Sequence, residues 1–320
     1  MDYDYTHMRH VVCQEVGPSR NYIQPSHFSQ GHQAKPFNYA EVYDFTHKRR
    51  GIAIIINNDS FEDENLIYRK GSENDTIKLE ACFNKLGFDT RIMVNVTKYE
   101  TIQNLQTVAS EMTQNPDFDC FVLAISSHGD VIKRKNDTVI INQDVLNCTD
   151  TFIPTNDILN IFSDANCPGL KDKPRLCFIQ ACRGYDLDHG MNICGTDVSS
   201  MEVVDGTPEY SAAFEIRVSK RVITTPFPCM KDFIVMYATP PGFHAFRRQK
   251  EGSWFITALT NVLGSVTEKN SISINKLLTK VVNIVAYNYQ SHSTHKDYDG
   301  KKQTPCIYSM LTKSILLKPK

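Results

Sequence analysis

The sequence contains no apolar run approaching the roughly 18 to 20 residues that a membrane-spanning helix needs, and its first 40 residues lack the hydrophobic stretch of a secretory signal. A soluble, cytoplasmic protein with no membrane partner is therefore expected. Net charge is nearly absent as well, with 35 Lys and Arg against 36 Asp and Glu, so nothing in the bulk electrostatics draws the chain to nucleic acid. Ten cysteines occur without a CxxC pair or regular spacing. That fits reduced thiols, most of them buried fillers, better than a disulfide framework or a zinc site, and no metal or other cofactor is expected. No glycine-rich phosphate loop follows the first strand, where Asn57-Asn58-Asp59 stands instead, which argues against a nucleotide-binding protein. Internal repeats are missing too.

What is present is ample material for a core, since 41% of the 320 residues are hydrophobic. Residues 1–40 are polar and without apolar periodicity, and read as a flexible arm. From Gly51 strands and helices alternate. GIAIIINN is a continuous β-branched run, as expected of a strand buried on both faces of a mostly parallel sheet. Ser72 and Asp75 resemble a capping box opening a helix with Leu79, Phe83 and Leu86 on one face. FDTRIMVN predicts a second strand, and Thr97 with Glu100 opens a helix whose buried stripe is Ile102, Leu105, Val108 and Met112. DCFVLAISSHG and RLCFIQACRG are two further hydrophobic runs, each ending in reactive residues, which is where open α/β sheets carry their sites. The stretch from about 184 to 228 has no sustained periodicity, and a loop of that length usually has a function. After it FIVMYA predicts a strand, 252–266 and 272–289 two helices, and PCIYSMLTKSILL one long final strand. The second half is expected to complete the sheet begun by the first.

An intracellular cysteine taken alone is most often a buried filler. Cys182 has a different context: it stands in Gln180-Ala181-Cys182-Arg183-Gly184 directly after a hydrophobic strand, and His128 lies 54 residues earlier in Ser126-Ser127-His128-Gly129-Asp130. A thiolate is the reactive form of cysteine, and a nearby imidazole both promotes its formation and returns a proton to a departing amine. This combination of motif and spacing resembles the caspase signature. The likeness extends from about Tyr43 to Leu317 through RGIAIIINN, RKGSENDTIKL, SSHGD, IQACRG, RRQKEGSWF and KKQTPCIYSMLTK.

The resemblance implies a caspase-like (caspase/hemoglobinase) α/β fold with a central, mostly parallel sheet of about six strands flanked by helices. It also implies a cysteine endopeptidase that cuts after aspartate in the execution phase of apoptosis. Cys182 would be the nucleophile and His128 its acid–base partner, oriented by a backbone carbonyl near Ile67. The N–H groups of Gly129 and Cys182 would form the oxyanion hole. Gly129 suits that place because it lacks a Cβ and tolerates torsions that other residues avoid, although a plain turn glycine reads the same way. Arg69, Gln180 and Arg247 would grip the substrate carboxylate. A guanidinium fork matches a carboxylate through two parallel bonds, and leaving it opposite a neutral side chain costs about 2 to 5 kcal/mol. Any one surface arginine is ordinarily a solvated charge; three matching positions in three motifs read otherwise. His244, Phe246 and Tyr298 would line the subsite before the aspartate, and Trp254, Arg248 and His292 the subsite four residues back. Phe246, Arg248 and His292 depart from the family's usual Trp, Asn and Phe. A basic distal pocket favours acidic side chains.

By the same resemblance the chain divides into a prodomain arm (1–40), a large subunit (41–197), an inter-subunit linker (198–230) and a small subunit (231–320). It would be a zymogen cut in the linker by an upstream initiator caspase, after Asp197 or Asp205. No Asp lies between Asp4 and Asp44, so a caspase-like cut would not remove the whole arm. The short arm fits the effector class. Expected partners are protein substrates with exposed aspartate-containing loops, inhibitor-of-apoptosis proteins, and a second copy pairing through PCIYSMLTKSILL, a segment equally readable as a covered strand of a monomer. The rival reading is a catalytically inactive caspase homologue acting as a regulator.

Overall fold

The computed structural model describes residues 41–136, 139–190, 231–267, 269 and 271–320. The 1–40 arm, the 198–230 linker, Asp197 and Asp205 lie outside them. The first half runs β1 (Ile52–Asn57), α1 (Glu73–Lys85), β2 (Asp89–Val94), α2 (Lys98–Gln114), β3 (Phe121–Ser126), β4 (Gly129–Asn136), β5 (Val139–Asn147), β6 (Phe152–Pro154), α3 (Thr155–Asn160) and β7 (Arg175–Gln180). The second half runs β8 (Phe233–Tyr237), β9 (Arg247–Arg248), β10 (Gly252–Ser253), α4 (Trp254–Gly264), β11 (Ile272–Ser273), α5 (Ile274–Asn288), β12 (Cys306–Ser309) and β13 (Leu316–Leu317).

Six strands form one sheet in the order β12-β8-β7-β3-β1-β2. Every pairing in it is parallel except β12 with β8. β1, β3, β7 and β8 are buried at every position, which is why their sequences are unbroken apolar runs. Alternate residues serve opposite faces. Ala53, Ile55, Val122, Ala124, Leu176 and Phe178 pack into one core with residues of α1, α4 and α5. Ile52, Ile54, Ile56, Leu123, Ile125 and Ile179 join residues of α2 and α3 in the other. The second half does complete the sheet of the first, because β8 lies directly beside β7.

Two expectations are corrected. Thr97 and Glu100 make the capping box that opens α2, but Ser72 caps no N–H of α1. Its hydroxyl instead accepts from Asn57 Nδ2 at 3.2 Å, and Asp75 is drawn away to Ser253, whose N–H donates to it at 2.7 Å. The final long strand is two short ones in different sheets, β12 beside β8 and β13 beside β11. Between them Thr312 turns aside to donate to Asp232 at 2.6 Å and to Tyr43 Oη from its backbone at 3.0 Å. The three-stranded sheet β4-β5-β6 was not anticipated at all.

Candidate active site

β3 and β7 are neighbours with Ser126 opposite Gln180. His128 and Cys182 each follow that pair by two residues, so parallel register alone delivers both to the C-terminal end of the sheet. The Ser127 N–H donates to the Gln180 carbonyl at 3.1 Å and ties the two exits together.

Cys182 is half-buried, whereas Cys82, Cys120, Cys148, Cys167 and Cys177 are buried free thiols of the core. The Ala245 N–H points to its sulfur at 3.5 Å. Burial pushes the Cys182 thiol up from its ordinary value. The Ala245 N–H, Arg69 and Arg247 pull it down, and Asp130 adds to the rise. His128 Nε2 lies 2.7 Å from the Ile67 carbonyl oxygen. A carbonyl only accepts, so Nε2 carries the hydrogen and Nδ1 keeps its lone pair. Burial lowers the imidazole below its ordinary value, against the Ile67 bond, with Arg69 and Arg247 lowering it further. The resting pair at neutral pH is thus a thiol and an uncharged imidazole. The Phe61 ring lies against that imidazole, with centroids 5.0 Å apart and planes tilted by 49°.

Gly129 is glycine for a reason other than torsion, since its φ is not among the positive ones. A Cβ there would meet the Cys182 carbonyl oxygen at 2.7 Å and the Ala181 Cβ at 2.8 Å. The start of β4 packs backbone to backbone against the cysteine turn.

Arg69 is only 2% exposed. Its Nη1 donates to the Asn58 carbonyl at 2.8 Å and its Nη2 to Ser126 Oγ at 2.9 Å. Burial, and then the charge of Arg247, bring its pKa down to about 9. Burial lowers Arg247 too, and its Nε donates to the Lys70 carbonyl at 3.2 Å. Among the described residues neither guanidinium has an ion-pair partner; Asp75, the acid whose charge acts most on both, is bound to Ser253. Gln180 is buried with its Oε1 unpartnered, so its amide is not locked by the protein and can turn its NH2 to a ligand.

A cavity of about 520 Å³ gathers Phe246, Arg247, Arg248, Trp254, His292 and Tyr298, all singled out from the sequence. His244 does not line it, and sits with its ring 6.2 Å from that of Tyr298. Trp254 is stacked between Phe246 at 4.8 Å and Tyr289 at 5.4 Å. Arg248 is not a bare cation: its Nη1 donates to Glu251 at 2.8 Å. Sequence reasoning missed Glu251, Tyr289, Phe61 and Gln303. Gln303 accepts from the Phe246 N–H at 2.6 Å and donates to the Ala238 carbonyl at 2.9 Å, fixing that wall. It stands inside the KKQTPC landmark, which was its one visible signal. Arg183, although beside the nucleophile, is buried and paired with Asp144 at 2.6 Å, its guanidinium 3.9 Å above the Tyr237 ring. No described helix is long and apolar enough to cross a membrane.

Known proteins resemble this chain over most of its length. The caspase domain family matches residues 50–316. Caspase-7 of Gallus gallus is 31% identical over 274 residues, covering 85% of this chain and 79% of its own length. Caspase drICE of Drosophila melanogaster is 30% identical over 300 residues, covering 93% and 79%. The crystal structure of caspase-1 from Spodoptera frugiperda superposes with a TM-score of 0.70 at 28% identity, covering 88% of this chain and 96% of that one. The chain belongs to the caspase family, and its similarity to caspase-7 and drICE is consistent with the effector type.

Proposed function

We propose that this member of the caspase family is an active cysteine endopeptidase that cleaves proteins after aspartate and acts in the execution of apoptosis. The observation that carries the reading is the pair of guanidinium groups, Arg69 and Arg247. Burial lowers the pKa of both, the charge of Arg247 lowers that of Arg69 further, and both act on Cys182, while no described carboxylate pairs with either. A substrate aspartate meets that unbalanced charge, and the Gln180 amide supplies a further donor.

With the aspartate held, the Cys182 thiol gives its proton to His128 Nδ1 as sulfur attacks the peptide carbonyl carbon. Charge develops on the carbonyl oxygen against the N–H groups of Gly129 and Cys182. The imidazolium then protonates the leaving amine, the C–N bond breaks, and a thioester remains. Water, losing its proton to the same imidazole, releases the acid and restores the thiol. Phe246, His244 and Tyr298 border the residue before the aspartate, and Trp254, Arg248 and His292 the one four places back.

The remaining assignments belong to the same reading. Residues 41–197 and 231–320 are the large and small subunits, 1–40 the prodomain arm and 198–230 the linker, cut after Asp197 or Asp205 by an initiator caspase. The homodimer forms through β12, which ends the six-stranded sheet with β8 on one side. Protein substrates and inhibitor-of-apoptosis proteins meet the cleft, and the protein works in the cytoplasm. An inactive regulator is disfavoured because Cys182, His128, Arg69, Gln180 and Arg247 are all retained. The test is hydrolysis of an aspartate-ended aminocoumarin peptide by the wild type and by Cys182→Ala. Signal from the wild type alone supports the proposal; equal signals from both overturn it.

A further inference from the structure

Two contacts to the His128 imidazole come from one loop, the segment between β1 and α1. Ile67 supplies the carbonyl at the ring edge, and Phe61 supplies an aromatic ring beside it, with 5.0 Å between centroids and the planes tilted by 49°. Phe61 is half-buried in a chain where Ile67 and Tyr68 of the same loop are exposed, so its ring is spent on this contact and not on the core.

The backbone holds Phe61 from both sides. Before it, Asn95 takes the left-handed φ of 53° and accepts the N–H groups of Asp59 at 2.9 Å and Ser60 at 3.1 Å on one oxygen, while its Nδ2 donates back to Asp59 Oδ1 at 2.9 Å. After it, the Glu62 N–H donates to the Thr149 carbonyl at 2.8 Å. The Arg69 N–H closes the loop onto the Asp59 carbonyl at 2.9 Å. A loop pinned on either flank of one residue keeps that side chain in a fixed place.

We infer that Phe61 is a positioning residue for the acid–base step: its ring and the Ile67 carbonyl together hold the His128 imidazole in one orientation and shield one face of it from water. The inference rests on the endopeptidase reading for its catalytic consequence. The ionisable groups bearing on the site are Arg69 from the same loop, Arg247 from β9, Asp130 from β4 and Cys182 after β7. The two arginines oppose the imidazolium, and the water-excluding ring acts in the same direction, because burial is the leading cause of the lowered imidazole pKa.

The experiment compares Phe61→Ala, Phe61→Leu and Phe61→Tyr in the full chain. Two measurements are made: pH profiles of aspartyl-peptide hydrolysis, and pH profiles of iodoacetamide alkylation of Cys182 without substrate. Phe61→Ala is expected to lower kcat about tenfold, with KM changed less than about twofold, because an acid–base group loses its alignment. It should also move the acid limb of both profiles up by roughly half a pH unit or more, as water regains the imidazole. Phe61→Tyr, which keeps the ring, should restore both, and Phe61→Leu, which keeps bulk without a flat face, should not. Acid limbs that stay where the wild type has them, or a Phe61→Leu variant equal to wild type, would overturn the inference. Phe61→Leu and Phe61→Tyr decide alone if Phe61→Ala fails to fold. Alkylation needs no peptide, so an absence of aspartyl-peptide cleavage would remove the endopeptidase reading and still leave the Phe61–His128 coupling to be judged.

Discussion

His128 is oriented by Ile67 through a backbone carbonyl 2.7 Å from Nε2, not through a carboxylate. An imidazolium at this place therefore lacks an anionic partner on that side. Burial and two arginines oppose it as well, and the thiol beside it is raised.

The pH dependence follows from those signs. As pH falls, His128 takes up its proton only below the ordinary imidazole value of 6.5, so its basic form survives into mild acid. As pH rises, Cys182 ionises only above the ordinary thiol value of 9.0. The expected kcat/KM profile is a broad plateau across neutral pH. Ultraviolet titration of the thiolate, wild type against Cys182→Ala, checks it. A thiolate already formed at neutral pH would contradict an uncharged resting pair.

Arg247→Ala should lose about 2 to 5 kcal/mol of transition-state binding toward aspartyl peptides, because it removes one of the two guanidinium groups that would hold the substrate carboxylate. Arg247→Lys should recover little of this, since an ammonium cannot form the fork. Arg247 is half-buried, and among the described residues its guanidinium bonds only to the Lys70 carbonyl, so the thermal midpoint should stay near that of the wild type. Steady-state kinetics with a melting curve gives both numbers.

Gly129→Ala should cost about 1 to 3 kcal/mol of stability, because the new Cβ is forced against packed atoms. Those atoms are the Cys182 carbonyl oxygen at 2.7 Å and the Ala181 Cβ at 2.8 Å. Any relief moves the cysteine turn, so kcat should drop about a hundredfold, as for removal of an oxyanion donor. Denaturant melts and kcat are the measurements; a variant with wild-type kcat would show that the turn is not part of the reacting geometry.

Glu251→Gln should raise the preference for an acidic residue four places before the cut. In the wild type Glu251 accepts from Arg248 at 2.8 Å and competes with any substrate carboxylate there. Both partners are largely exposed, so the pair itself is worth about 1 kcal/mol or less, and the gain should be below about fivefold. A peptide library varied at that position reads it directly.

Much of the fold was legible in the chain because both faces of β1, β3, β7 and β8 are buried, and such strands announce themselves as apolar runs. The hairpin sheet β4-β5-β6 was not legible, because its first strand, from Gly129 to Asn136, carries Asp130, Lys133, Arg134 and Lys135 among its few apolar residues. The capping box at Ser72 was misread for a similar reason. Its partner Asp75 finds Ser253, which is 178 residues away in sequence.

Sequence alone determined that Cys182 and His128 leave two buried strands at the same end of the sheet. Cys182 and His128 end two buried strands at equal distances past paired residues, and local apolar patterning with parallel pairing requires nothing more. Only the tertiary structure decided how those groups are poised. The contact of the Phe61 ring with His128 and the split of the last strand, where Thr312 turns aside to Asp232 and Tyr43, depend on contacts between segments far apart in the chain. Hydrogen bonds and ring contacts are short-ranged, and only the folded backbone brings such segments within their reach.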